Sequence, residues 1–417
     1  MTLPRRDLLL PLALAALAAC GVADEGQYVY AQRDPWPQPS LLPAVTGPRL
    51  AVTNSGDDTL SFVDPVSFTE IARTPIGRNP AEPEGPHHLA ATPDGRTLFV
   101  GISNTVPVNA SGPHGSHGTG TVDGYLLEVD ALTGRQRRWT RVHRSPGDVR
   151  LEPGGARVWQ SHYDLVGIAR ALEGMSKEPD LDPEKEAAWF AKMDSMVVVT
   201  DAATMERVAE FAICPAAHGI AFDPRRGLTW ISCGFSDEVA AIDSETFAVT
   251  RVPVADDPGI PPTPRYEPYA VAIAPSGDVW ISNTGSANTG LRVVDPDLMA
   301  EVPERRISTA GIPLFGSFLR DESRYFVVTQ KPDALLAIAP ATASIVAEVD
   351  LAPLGCLSAH AAVLSPDEEV IWIVCEGDHL TLPGTLERLD RRTLEPTGHL
   401  EVGLFPDDVV YVPEPSP

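Results

Sequence analysis

Cys214-Pro-Ala-Ala-His218-Gly-Ile-Ala-Phe-Asp-Pro-Arg-Arg-Gly-Leu-Thr-Trp230-Ile-Ser-Cys233 returns 142 positions later as Cys356-Leu-Ser-Ala-His360-Ala-Ala-Val-Leu-Ser-Pro-Asp-Glu-Glu-Val-Ile-Trp372-Ile-Val-Cys375. Both copies place His four positions after Cys, Trp twelve after His, and Cys three after Trp. Four residue types in one frame, twice, indicate a repeat architecture. Each copy reads as two short strands joined at a turn (Asp223-Pro-Arg-Arg-Gly227, Ser365-Pro-Asp-Glu-Glu369).

The same unit recurs from residue 49 onward. A strand A ends near a Pro-Asp-Gly-like turn, as in Thr92-Pro-Asp-Gly95. Strand B often finishes Val-Thr-Asn or Ile-Ser-Asn, as at Val52-Thr-Asn54 and Ile281-Ser-Asn283. Strand C ends in Asp at Asp64, Asp130, Asp201, Asp243, Asp295 and Asp390, and strand D alternates apolar and polar residues. The sixth unit, with Leu335-Leu-Ala-Ile-Ala339, lacks that Asp. The first unit has no strand A before it, whereas Phe405-Pro-Asp407-Asp408-Val-Val-Tyr-Val412 is a strand left over at the far end. Placing the last strand in the first unit removes an open sheet edge. The expectation is an all-β, seven-bladed β-propeller with four-stranded blades over residues 49–413, closed by the C-terminal strand pairing in the N-terminal blade. Residues 414–417 form a tail.

Pro86-His-His-Leu89, Thr92-Pro-Asp-Gly95, Val52-Thr-Asn-Ser-Gly56 and Ile281-Ser-Asn-Thr-Gly285 together resemble the YVTN-repeat family of bacterial propellers, with an NHL-like look. That resemblance covers residues 49–412 and implies a fold that hosts binding proteins, lyases and redox enzymes alike.

Residues 1–19 read as an export signal: Arg5-Arg6 precede an apolar run from Leu8 to Leu17, too short to span a bilayer. Leu17-Ala-Ala-Cys20-Gly21 resembles a lipobox with Cys20 as the lipidated residue, and Pro4-Arg5-Arg6-Asp7-Leu8 resembles a twin-arginine signal, leaving Sec and Tat export both open. Residues 20–48, with Pro35, Pro37, Pro39, Pro43 and Pro48, form a tether. The expected address is the cell envelope, at the outer membrane, with the membrane met by the lipid anchor alone. Four cysteines remain, an even set in an exported chain, and the nearest pairing is Cys214–Cys233 with Cys356–Cys375. No Cys-x-x-Cys-His occurs, so the chain carries no covalent haem motif. A formal charge of −25 excludes a nucleic-acid partner, because phosphates would be repelled.

Propeller geometry puts the B–C and D–A connections on one face, and the long insertions (105–122, 163–194, 253–267, 376–385) are all of these two kinds. The 163–194 insertion holds the expected single helix, from about Pro183 to Met193, capped by Asp182. Strand A starts at this face beside the channel. Its second position holds His87, Gly147, His218, Tyr269, Phe315, His360 and Asp407 in turn, with His88, Asp148 and Asp408 one place further on. His162 ends a strand B at the same face, and His114, His117 and His379 lie in its loops.

Imidazoles and carboxylates converging on a narrow channel suit Zn²⁺ or Cu²⁺. The bland reading of the same histidines is a bond to a neighbouring loop. Two functions follow as expectations. One is a binding module that takes an envelope protein or a small-molecule ligand at the loop-rich face. The other is a metal-dependent lyase or oxidoreductase with His87, His218 and His360 as ligands, His88 and His162 nearby, and Tyr269 or Asp407 in proton transfer. The Gly-rich 111–124 segment lacks the lysine of a phosphate loop, and no Gly-x-Ser-x-Gly elbow occurs. The Asp at each strand C end reads as a turn residue, and Trp159, Trp230, Trp280 and Trp372 as packing between blades.

Overall fold

Leu228-Thr-Trp-Ile-Ser-Cys233 shows why these segments become strands. Its β-branched and aromatic residues fit a pleated surface, and five of its six side chains are buried because both sheet faces are covered. A computed structural model of the chain describes residues 47–77, 84–103, 122–259 and 263–415. Outside these lie Cys20 with the signal and most of the tether, and the loop histidines His114 and His117.

The chain is almost wholly β, arranged in four-stranded antiparallel groups laid side by side, the architecture of a β-propeller. The innermost strands are Pro406–Val412, Pro86–Ala91, Pro146–Leu151, Ala217–Asp223, Pro268–Ile273, Ile312–Phe318 and Ala359–Leu364. The fifth group adds a two-residue strand at Ile307–Ser308, and the sixth and seventh are joined by one parallel pairing, Phe315 with Ala361. The C-terminal strand Pro406–Val412 pairs antiparallel with Arg49–Asn54, setting Tyr411 opposite Leu50. The outermost strands, such as Ser344–Asp350, are mostly exposed, because no further strand covers them.

Between neighbouring groups lie apolar cores. Trp159 packs against Ile220 and Ile231 of the next group, Trp230 against Val271 and Ile281, and Trp280 against Val327 and Leu336. Trp372, on the seventh group, packs against Leu50 and Val52 on the first. Each of the four is a large side chain repeated at one strand position, and each fills the space between two sheets. The C-strand aspartates close turns: Asp64 accepts the N–H groups of Val66 and Ser67, and Asp243 those of Glu245 and Thr246, at 2.7–3.1 Å. In the sixth group, where the Asp is missing, a 3₁₀ turn at Pro340–Thr342 does that work.

Cys214 is bonded to Cys233, and Cys356 to Cys375. The first bond does not close a hairpin. Cys214 sits in Arg207–Pro215, the outer strand of the third group, so the bond ties the third group to the fourth. The insertion after His162 contains two helices rather than one, α1 (Leu165–Ser176) and α2 (Pro183–Ala191). The expected α2 has its Asp182 cap on Lys185 N. The missed α1 is capped by Asp164 through Gly167 N, and its buried face is only Val166, Ile168 and Ala171, a stripe too short to stand out among glycines. Among the described residues no helix is long and apolar enough to cross a membrane.

Candidate metal centre

Every innermost strand is irregular at the same place. Pro86 pairs with Ile102 and Leu89 with Val100, so His87 and His88 together face the single residue Gly101. The same two-against-one bulge carries Gly147 and Asp148, His218 and Gly219, and Asp407 and Asp408. Single-residue slips release Tyr269 and His360. A bulge re-aims side chains out of the ladder, and here it turns them inward. Proline is tolerated at the strand starts Pro86, Pro146, Pro268 and Pro406, where no ladder N–H is needed. The residue ahead of several of these strands is held at positive φ, as at Gly85 (61°), Ser145 (47°), Ala216 (54°), Glu267 (51°), Ser358 (59°) and Phe405 (50°). This left-handed step swings the chain into the bulge.

Hydroxyls stitch neighbouring bulges together. Thr53 Oγ1 donates to His87 O at 2.5 Å, Ser161 Oγ to His218 O at 2.6 Å, Ser232 Oγ to Tyr269 O at 2.5 Å and Ser282 Oγ to Leu314 O at 2.7 Å. Thr53 and Ser161 also accept the N–H of Asp408 and Asp148 across their own bulge. These are the hydroxyls of the Val-Thr-Asn-like strand ends, whose role periodicity alone did not give.

The inward side chains meet at one buried point. The His87 and His88 rings lie 4.3 Å apart, and His218 lies 5.6 Å from His87 and 5.4 Å from His88. His360 is 5.7 Å from His88, and Phe315 touches His88, His218, Tyr269 and His360. Phe315 falls at the second place of its bulge, in register with His88 rather than His87. Gly147 contributes space. A Cβ there would sit 3.0 Å from Ser161 Oγ and 3.2 Å from His218 Cδ2.

Second contacts fix the imidazoles. His87 Nδ1 is 2.9 Å from Gly147 O, and a carbonyl only accepts, so Nδ1 carries the proton and Nε2 keeps its lone pair. His360 Nδ1 donates to Asp407 O in the same way. His88 Nδ1 lies 3.0 Å from Asp408 Oδ2 and 3.4 Å from Asp148 Oδ1, and Arg150 bridges the same two carboxylates at 3.3 and 3.1 Å. His218 Nε2 meets the Tyr269 hydroxyl at 2.7 Å, with the two rings stacked at 3.9 Å. Burial holds His87 down to about 3, reinforced by His360, and pushes His88 and His218 well below the usual imidazole range. Neutral imidazoles with a tied Nδ1–H are the form that binds metal. Burial also raises Asp148 to about 6, and burial with nearby Glu376 raises Asp407 well above the usual carboxylate range.

Ligand atoms of His87, His88 and His218 all lie within 4.8 Å of one another, and so do those of His360, Glu376 and Asp407. The histidine set expected as one group is therefore divided between two adjoining clusters. His162 joins neither. It is buried, its Nδ1 2.8 Å from Met196 O and its Nε2 accepting His143 N at 3.2 Å, which commits both ring nitrogens to the protein. Tyr269 is committed to His218, and burial raises its hydroxyl well above the usual phenol range. Arg150 and Glu376 escaped the sequence reading, whereas Phe315 was expected in the ring at the channel mouth and lies at its centre. Glu376 follows Cys375 directly, and that adjacency was its only signal.

The insertion roofs this point. Tyr163, at its start, has its ring 5.5 Å from His218, and Ile168, Ala171 and Met193 pack on Ala216, two residues before His218.

No family model matches the chain, and no curated protein sequence matches it. The likeness to YVTN repeats thus rests on the repeat motifs alone. Solved structures do match. The periplasmic gluconolactonase PpgL of Pseudomonas aeruginosa aligns at 14% identity and TM-score 0.59, over 88% of this chain and 99% of that one. The dihydro-heme d1 dehydrogenase NirN aligns at 16% and 0.53, over 90% and 78%. Apo AztD from Citrobacter koseri aligns at 14% and 0.53, over 88% and 98%. At such identities what is shared is the fold. On sheet topology and on these likenesses together, the chain is a β-propeller protein.

Proposed function

We propose that this protein is an exported propeller whose central channel binds a divalent transition-metal ion, Zn²⁺ or Cu²⁺, through His87, His88 and His218. The observation that carries the proposal is the convergence of those three buried imidazoles within 4.8 Å, two of them with Nδ1 held by backbone or carboxylate acceptors. His88 adds to it: its Nε2 is buried with no hydrogen-bond partner among the described residues. A buried polar atom of that kind costs about 1–3 kcal/mol unless a ligand takes it.

The seven four-stranded groups supply the frame, read as seven blades in a ring. The pairing of Pro406–Val412 with Arg49–Asn54 and the packing of Trp372 on Leu50 and Val52 support closure of the last blade on the first. Two disulfides favour an oxidising compartment, in keeping with the signal, the lipidation at Cys20 and the outer-membrane address read from the N-terminus. The loop-rich face and the channel then belong to one site, because the 163–194 insertion covers the imidazoles. A ligand or partner protein arriving at that face meets the metal beneath it. Protein purified without a His-tag, stripped and dialysed against Zn²⁺ or Cu²⁺, is expected to retain stoichiometric metal. The His88→Ala/His218→Ala double variant is expected to lose it. A folded wild type that holds none would overturn the reading.

A further inference from the structure

Glu376 lies outside the three-histidine cluster. It is fully buried, at the end of Val370–Cys375 where the strand leaves for the loop, and its N–H bonds Ser358 O at 3.0 Å. Its two oxygens are treated differently. Oε2 accepts from His379 Nε2 at 2.6 Å and from Gln330 Nε2 at 3.3 Å. Oε1 is buried with no hydrogen-bond partner among the described residues and lies 3.9 Å from His360 Nε2. Asp407 completes the set, its Oδ2 taking the Ser55 hydroxyl and its Oδ1 standing 3.8 Å from His87 Nε2.

Asp148, Asp407, Asp408 and Glu376 are all buried around one point, and Arg150 is bonded to two of them, Asp148 and Asp408. Buried carboxylates must be paired, protonated or bound to cations, since an uncompensated charge is costly to bury. Neutral imidazoles contribute no charge. With all four carboxylates ionised and Arg150 counted, one divalent ion leaves a charge of −1 and two leave +1, so charge accommodates either number and the geometry of the second cluster decides.

We propose that the channel holds a second divalent cation, bound by His360 Nε2, Glu376 and Asp407, beside the ion on His87, His88 and His218. The inference rests on reading the channel as a metal centre and adds a second ion to it. Asp407 stands at the border of the two clusters, in the place of a bridging carboxylate. The donor sets differ: three nitrogens on one side, one nitrogen and two carboxylates on the other. The second site is therefore the harder of the two, and it favours Zn²⁺ or Mn²⁺ over Cu⁺. His379 and Gln330 orient Glu376 by holding Oε2, the outer contact that ligating carboxylates commonly have.

The test counts ions. Full-length wild type, stripped with chelator and equilibrated with excess buffered Zn²⁺, is expected to bind two per chain by elemental analysis. Glu376→Gln, checked for fold by circular dichroism, is expected to bind one. Should that variant not fold, His360→Ala is the second probe, and the wild-type count needs neither. One ion in wild type, unchanged in Glu376→Gln, would overturn the second site and leave the first standing. Two ions in both proteins would overturn the assignment to Glu376, and none in wild type would remove both sites together.

Discussion

Gly147 leaves a gap in the ring of inward side chains, and His218 occupies it. Valine at that position would press on His218 Cδ2 and Ser161 Oγ, so Gly147→Val is expected to weaken Zn²⁺ affinity at least tenfold, about 1.4 kcal/mol, by competition titration. Unchanged affinity would show that His218 is no ligand. Arg150 has a different kind of importance. It neutralises Asp148 and Asp408 at the back of His88, and a buried pair broken on one side costs about 3–5 kcal/mol. Arg150→Met should lower the melting temperature markedly in metal-free protein, read by calorimetry. At this scale the sequence was only half legible. The channel positions of His87, His218, Tyr269, His360 and Asp407 followed from counting along strand A. The tautomers and the division into two clusters did not, since they depend on carbonyls of neighbouring strands that no spacing encodes.

The innermost strand, with its left-handed entry and its bulge, is the element that makes the site. Strand alternation predicts where such a strand lies but not that two residues will face one, so His88 and Asp408 were placed one position past the channel slot, whereas they share the centre. The entry residues carry strain that glycine would relieve. Ala216→Gly is expected to stabilise the protein by up to about 1 kcal/mol in denaturant unfolding, and a loss of stability would contradict the conformational account. The disulfide between Cys214 and Cys233 bridges two sheets across a short loop of chain. Replacing both cysteines by serine should cost about 3 kcal/mol by the same measurement. Pairing by equal spacing was legible. Which strands the bond joins was not, because Cys214 belongs to the end of one group although it opens the repeated motif of the next. The insertion held a further lesson. α2 announced itself through Asp182, Pro183 and an acidic first turn, whereas α1 rests on three buried apolar residues and on docking against the sheets.

For the whole molecule, repetition made the architecture readable. Four tryptophans at one strand position, six C-strand aspartates and a leftover C-terminal strand each have a physical counterpart in packing, turns and edge pairing. Removing Pro406–Val412 would leave Arg49–Asn54 with an open edge and take Asp407 and Asp408 out of the centre. The truncated chain is expected to aggregate on size-exclusion chromatography, whereas a monodisperse, metal-binding truncation would contradict the role of that strand. The central claim, a metal held by channel imidazoles, is tested most directly by X-ray absorption at the zinc edge on stripped protein reloaded with one equivalent of Zn²⁺. The account predicts nitrogen ligands at about 2.0 Å with the multiple scattering of imidazole and no sulfur. A shell of oxygen alone, or sulfur at about 2.3 Å, would contradict it.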